Sequence, residues 1–220
     1  IKPILGCEMY VAPRSHTEKE GRADKDPFHL ILLAENMTGW QNLMWLDSEA
    51  FLRGFYYRPR IDFELLRDRH EGIIALSACL GGEIPQLILT GQLEEARAKA
   101  RQYDELFGRG NFFLEIQANG LPEQAVVNAE LIKMSAETGI PLVATNDCHY
   151  TKQSDAFSHD VLLCMQTGKT IDDENRMKME TDQLYIKSPE EMEAAFRHVP
   201  EALLNTERIA VRCNVELDLH

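Results

Sequence analysis

The stretch Val126-Val127-Asn128-Ala129-Glu130-Leu131-Ile132-Lys133-Met134-Ser135-Ala136-Glu137-Thr138-Gly139-Ile140-Pro141-Leu142-Val143-Ala144-Thr145-Asn146-Asp147-Cys148-His149 decides the fold class. Val126 to Ala136 carries apolar residues at helical spacing, and Gly139 stands where a helix C-cap belongs. Ile140 to Ala144 is then a strand-length apolar run that ends in polar residues. The same alternation runs through the chain. Further apolar runs lie at Ile4 to Val11, Leu30 to Ala34, Gly72 to Leu76 and Phe112 to Ile116. Between them, Leu93, Ala96, Ala100, Tyr103 and Phe107 share one helical face. Thr38-Gly39-Trp40-Gln41 reads as a capping box, opening a helix with Leu43, Leu46, Ala50 and Phe51 on one side. Strand and helix alternating at this pace predict an α/β fold with a mostly parallel sheet.

One connection lacks a helix. Residues 13 to 27 are polar, with Gly and Pro, and read as a loop. Ile4–Val11 and His29–Ala34 can then pair antiparallel, which brings the start of the second strand near the end of the first. From Ile171 onward the only strand-like run is Leu184 to Ile186. Ser188-Pro189-Glu190-Glu191 is a helix start, and a second helix is expected over Glu201 to Arg212, ending near Cys213-Asn214. These patterns place one unit at residues 1–170 and a helical extension at 171–220. The chain opens on Ile1-Lys2-Pro3 and closes on Leu217-Asp218-Leu219-His220, so it is expected to be an internal piece of a longer protein.

The chain has 220 residues, of which 44% are hydrophobic and 27% charged, an ordinary globular composition. No apolar run approaches the roughly 18 residues of a membrane helix, and no signal peptide opens the chain. Five cysteines without framework spacing fit a reducing cytoplasm. A net charge of −13 argues against most of the surface wrapping a phosphate backbone. The single basic–aromatic stretch interleaves Arg53, Arg58, Arg60, Arg67 and Arg69 with Phe55, Tyr56 and Tyr57. It suits nucleic-acid backbone or, equally, a solvated face. Gln166-Thr167-Gly168-Lys169-Thr170 is no P-loop, because Leu163 stands where the motif needs glycine.

Ligand-type residues recur at the ends of the apolar runs. Asp147 and His149 lie just past Ile140–Ala144, and in an extended chain they point the same way while Cys148 points away. A carboxylate and an imidazole there make half of a divalent-metal site; an ordinary Asp–His hydrogen bond in a turn is the plainer reading. Cys79 follows Gly72–Leu76, as a metal-ligating thiolate or as a small buried hydrophobe. Glu8 interrupts an otherwise apolar strand, where a charge needs a partner, a cation or solvent. His29 opens its strand and, in an antiparallel pair, comes near Glu8. His159-Asp160 reads as a helix-start pair. Taken together, Glu8, His29, Cys79, Asp147 and His149 bring oxygen, nitrogen and sulfur donors to one rim, a mix that suits zinc, manganese or iron.

Gly6-Cys7-Glu8, Phe28-His29-Leu30, Gly54-Phe55-Tyr56-Tyr57-Arg58-Pro59-Arg60, Leu76-Ser77-Ala78-Cys79-Leu80 and Ala144-Thr145-Asn146-Asp147-Cys148-His149-Tyr150 resemble the PHP (polymerase and histidinol phosphatase) domain of bacterial DNA polymerase III alpha subunits, the C-family replicative polymerases. Gln166 to Thr170, Tyr185 to Met192 and Glu201 to Thr206 resemble the polymerase branch of that family. The resemblance implies a distorted (β/α)7 barrel of the PHP type, incomplete at its N-terminus, with a helical C-terminal tail. It implies that Glu8, His29, Cys79, Asp147 and His149 are ligands of a divalent metal, in a mononuclear site or a multinuclear cluster, with an earlier His-x-His strand expected to precede Ile1. It further implies 3′–5′ exonuclease chemistry with metal-bound water as nucleophile rather than a side chain. The implied partners are DNA through the parent polymerase, a proofreading exonuclease, a sliding clamp and a clamp loader, with no membrane. A non-catalytic scaffold and a stand-alone PHP phosphoesterase are the alternatives.

Overall fold

The computed structural model describes residues 1–218 and places along the chain β1 (Gly6–Val11), β2 (Phe28–Ala34), α1 (Met37–Leu52), β3 (Arg60–Ile61), α2 (Phe63–Arg69), β4 (Ile73–Leu76), α3 (Glu83–Leu89), α4 (Leu93–Phe107), β5 (Phe112–Gln117), α5 (Pro122–Thr138), β6 (Leu142–Thr145), α6 (Ala156–Thr167), α7 (Pro189–Phe196) and α8 (Pro200–Arg212). Residues 219 and 220 of the expected C-terminal extension lie outside the described residues. The strands form one six-stranded sheet in the order β3-β1-β2-β4-β5-β6. β1 pairs antiparallel with β2, and β2 antiparallel with β4, while β1–β3, β4–β5 and β5–β6 are parallel. Every strand except β2 therefore runs in one direction.

The fold is α/β, with a mixed sheet where the sequence pointed to a mostly parallel one. The 13–27 connection is a loop with one short 3-10 turn at Gly21–Asp24, so the chain returns as a neighbouring antiparallel strand rather than crossing over through a helix. A (β/α)7 barrel requires a closed sheet. Here no described strand joins β3 to β6, so the sheet is open.

Strand alternation splits the interior in two. Met9, Val11, Leu30, Leu32, Ala75, Phe112, Leu114, Ile116, Leu142 and Ala144 face the main core beneath the helices. Each large apolar side chain buried there stabilises the fold by about 1.5–3 kcal/mol. Ile74, Leu76, Phe113 and Val143 face the other way and pack with Ile209 and Cys213 from the end of α8. The Asn205 side chain donates to the Leu142 carbonyl at 2.7 Å, which fixes α8 against β6.

Local signals were obeyed with two corrections in α1. Its N-cap is Asn36, whose side chain accepts from the Gly39 amide at 3.1 Å, so the helix starts ahead of the Thr38 box. Leu43, Leu46 and Ala50 are buried as expected, whereas Phe51 is 56% exposed. Gly39 itself is required by packing: a Cβ there would stand 1.8 Å from the Gly72 carbonyl oxygen. Gly139 ends α5 in the left-handed conformation (φ 77°), and Ser188 caps α7 through a complete capping box.

The basic–aromatic stretch is not a free cationic face. Arg60 is fully buried, and its guanidinium donates to the carbonyls of Gly54, Asp24, His16 and Glu18. Arg53 pairs with Glu49 and Arg67 with Glu64, while Arg69 lies over the Trp45 ring and Arg58 over the Tyr10 ring. Arg60 thus pins the 13–27 loop to β3.

Asp24 closes that loop. Its buried carboxylate accepts from Arg14 at 2.7 and 3.1 Å and from the Glu20 amide at 2.8 Å. The Arg14 hydrogen bonds, then the Glu20 amide, hold the carboxyl below the ordinary aspartate range. A depressed carboxyl stabilises the fold above its unfolded value, near pH 3.9, and that stabilisation is lost as pH falls through the folded value. Hydrogen-exchange protection of the Glu20 amide is therefore expected to be level at neutral pH and to collapse below about pH 4. Asp24→Asn should lower the neutral plateau and remove the acid step.

Candidate metal centre

The reversed β2 strand brings its first residues to the end of the sheet where β1, β4, β5 and β6 finish. Glu8 lies opposite Ile31, and Ile31 opposite Leu76, the last residue of β4. His29 is two residues nearer the rim on the same face as Ile31. The loop after Leu76 then carries Cys79 to His29. The His29 amide donates to the Gly81 carbonyl at 2.9 Å, and a Cβ on Gly81 would come within 3.0 Å of the His29 ring. Gly81 is thus the seat of the imidazole.

At this rim the ligand atoms of Glu8, His29 and Cys79 all lie within 4.8 Å of one another. His29 Nδ1 is 2.5 Å from Glu8 Oε1 and 3.5 Å from Cys79 Sγ. The hydrogen bonds to Cys79 and then to Glu8 push the His29 imidazole up to about 10, and the His29 hydrogen bond holds the Glu8 carboxyl below its usual range. A proton on Nδ1 therefore sits between a carboxylate and a sulfur, the position a cation takes when it displaces that proton. Carboxylate, imidazole and thiol at this spacing fit a borderline divalent metal.

Asp147 and His149 approach from β6. Burial pushes the Asp147 carboxyl up; the charges of His149 and His29 oppose this, and that of Glu8 adds to it. The Asp147 carboxyl thus shares the field of the Glu8–His29–Cys79 cluster. His149 Nδ1 bonds the Asp147 carbonyl at 2.7 Å and stands 3.9 Å from its carboxylate, which leaves Nε2 as the ring's outward atom. The structure therefore gathers all five expected residues at one rim, three of them in direct mutual contact. The local backbone is not the extended chain the sequence predicts. Asp147 is in the left-handed region at φ 49°, as is Ala78 beside Cys79 at φ 64°. His159, on α6, sets its ring 5.6 Å from that of His149, a contact the helix-start reading of His159-Asp160 did not reach.

A family model described as the PHP domain matches residues 1–119, a span that includes Glu8, His29 and Cys79. The chain belongs to the PHP domain family. It is also 50% identical to the DNA polymerase III subunit alpha of Treponema pallidum over 99% of this chain and 19% of that protein. Identity is 49% to the subunit of Deinococcus radiodurans, over 99% of this chain and 17% of that protein. It is 46% to that of Thermus aquaticus, over 100% and 18% respectively. This PHP chain thus spans about a fifth of the length of the curated relatives it matches.

In the PHP domain the 145–150 loop is held from outside by residues 181–187. The buried Asn146 side chain donates to the carbonyls of Gln183 and Tyr185, both at 2.8 Å, and accepts from Lys187 Nζ at 3.1 Å. The His149 amide donates to the Leu184 carbonyl at 2.8 Å. Neither Asn146 nor Lys187 was singled out by sequence; the asparagine beside Asp147 was the available signal, as a residue that bonds nearby backbone. Asn146→Ala removes three hydrogen bonds at once, leaving Lys187 bonded to the Gln183 carbonyl and the Tyr185 carbonyl to the Cys148 thiol. It is expected to cost about 1–3 kcal/mol in urea unfolding and to make the Lys187 peptide bond more sensitive to trypsin.

Proposed function

We propose that the chain is the PHP domain of a bacterial replicative DNA polymerase alpha subunit and that its rim binds a divalent metal used to hydrolyse a phosphodiester at a DNA 3′ end. The observation that carries this reading is the carboxylate–imidazole–thiol cluster of Glu8, His29 and Cys79 within 4.8 Å, at the end of the sheet where Asp147 and His149 converge. The donor mix favours zinc, manganese or iron. Bound there, such an ion activates water and neutralises charge that develops on a phosphodiester. The chain's own residues would share the work. Glu8 and Asp147 supply the negative charge that retains a cation. His29 and Cys79 select a borderline metal over magnesium. His149, oriented by its bond to the Asp147 carbonyl, presents Nε2.

The resemblance to the relatives' alpha subunits supports a role in DNA replication, with DNA reached through the parent polymerase and with a proofreading exonuclease, sliding clamp and clamp loader as partners. The net charge of −13 and the engaged arginines of residues 53–69 favour a second reading, a scaffold that stabilises the polymerase or docks a separate exonuclease. A stand-alone phosphoesterase is disfavoured by similarity that runs through the tail into the alpha subunits.

Elemental analysis of the full-length protein separates these readings. Stoichiometric zinc, manganese or iron is expected, reduced at least about tenfold in both Asp147→Ala and His149→Ala, with a parallel loss in removal of a mismatched 3′ nucleotide. Metal that is unaffected by either substitution would overturn the metal reading. Bound metal without hydrolysis of DNA ends would leave the scaffold.

A further inference from the structure

β5 carries a carboxylate in a place where nothing about the strand requires one. Glu115 lies between Leu114 and Ile116, is 4% exposed, and stands on the sheet face shared with Phe113 and Val143. Its Oε1 accepts from Thr145 Oγ1 at 2.5 Å and from Gln117 Nε2 at 3.0 Å. Its Oε2 lies outside those two bonds, and the Ala78 amide faces the carboxyl. Burial pushes its carboxyl up, and the charge of Asp147 adds to this. Burying a carboxyl in this strand carries a desolvation cost that a leucine of similar volume would avoid.

The bonds of Glu115 explain what that cost supports. Its backbone amide donates to Ser77 Oγ at 2.8 Å, and its carboxyl holds the Thr145 hydroxyl. Ser77 stands two residues before Cys79, and Thr145 two residues before Asp147. Each of those two short segments contains a left-handed non-glycine residue, Ala78 and Asp147. Left-handed backbone is strained at alanine and tolerated at aspartate, and at Ala78 it persists only where surrounding contacts hold it. Glu115 is bonded to both segments, which also meet at the rim where Cys79 bonds the Asp147 carboxyl. Behind it the chain of bonds continues through Gln117 to Asn119, both 2% exposed, so the carboxyl is itself held in place.

We propose that Glu115 is a positioning residue that sets the separation of Cys79 and Asp147 at the rim, by tying the β4 and β6 turns to one point on β5. This inference rests on the reading of the rim as a metal centre. Glu115 is not a ligand in it. Its carboxyl acts through Thr145, while its main-chain amide holds Ser77 whatever side chain stands there, as groups behind metal ligands do when they fix ligand direction.

The test is made in the full-length protein by zinc titration and by the visible spectrum of the cobalt-substituted form, in which sulfur-to-cobalt charge transfer reports Cys79. Glu115→Leu removes both carboxyl bonds while keeping volume. It is expected to weaken zinc binding about 10–100-fold and to alter the cobalt spectrum, with Glu115→Gln, which keeps an acceptor for Thr145, restoring both. Thr145→Val cuts one bond without touching the strand core and is expected to shift the spectrum in the same sense. It decides the matter should Glu115→Leu fail to fold. Wild-type zinc affinity and spectrum in Glu115→Leu, or in Thr145→Val where the first does not fold, would overturn the positioning role and leave the metal centre intact. Absence of rim zinc in the wild-type protein, seen as zinc content unchanged by Asp147→Ala, would overturn both.

Discussion

The reversal of β2 is the constraint on which the rest of the structure depends. With every other strand running one way, the sheet would collect only strand ends at this rim. The single antiparallel strand adds a strand beginning, and His29 is that beginning. Its imidazole lands diagonally across from Glu8 and against the Cys79 turn. The loop that permits the reversal must itself be fixed. Arg60 does this from inside with donors to four loop and turn carbonyls, and Asp24 does it with Arg14.

A second constraint is conformational. The turns that deliver Cys79 and Asp147 pass through left-handed backbone, at an alanine that disfavours it and at an aspartate that tolerates it. The surrounding bonds come from three directions. Ser77 and Thr145 meet at Glu115 beneath the rim, Asn146 is tied to Gln183, Tyr185 and Lys187 from the side, and Gly81 closes on the His29 ring. The turns that carry Cys79 and Asp147 are therefore held by hydrogen bonds from three sides. That is what a site built on loops needs if its geometry is to be kept within a fraction of an ångström.

Much of this was readable in the sequence because the relevant signals are local. The α4 stripe from Ala96 to Phe107, the Gly139 stop and the Ser188 capping box depend on a few adjacent residues, and the structure follows them. The antiparallel β1–β2 pair was readable from the missing helix between 13 and 27. The short β3, α2 and α3 were not, since two to seven residues leave too little period to recognise. Arg60 was misleading for a related reason. Its sequence neighbours are exposed arginines and aromatics, and only the tertiary fold carries it inside. Glu8 and Glu115 make the sharpest contrast. Both are carboxylates inside apolar strands, and both carry the same signal of a charge that needs a reason. Glu8 was picked out and Glu115 was passed over, because whether such a position faces a rim or lies beneath one is fixed by the register between strands and not by the strand itself.

The proposed metal ion would sit at the rim formed by β1, β2, β4 and β6. Anomalous diffraction at the zinc, iron and manganese edges from crystals of the full-length protein tests it most directly. A peak is expected at about 2.0–2.3 Å from His29 nitrogen and Cys79 Sγ, with carboxylate oxygen of Glu8 or Asp147 completing the contacts. A well-ordered rim with no anomalous peak at any of the three edges, and with His29 Nδ1 still bonded to Glu8 and Cys79, would contradict it.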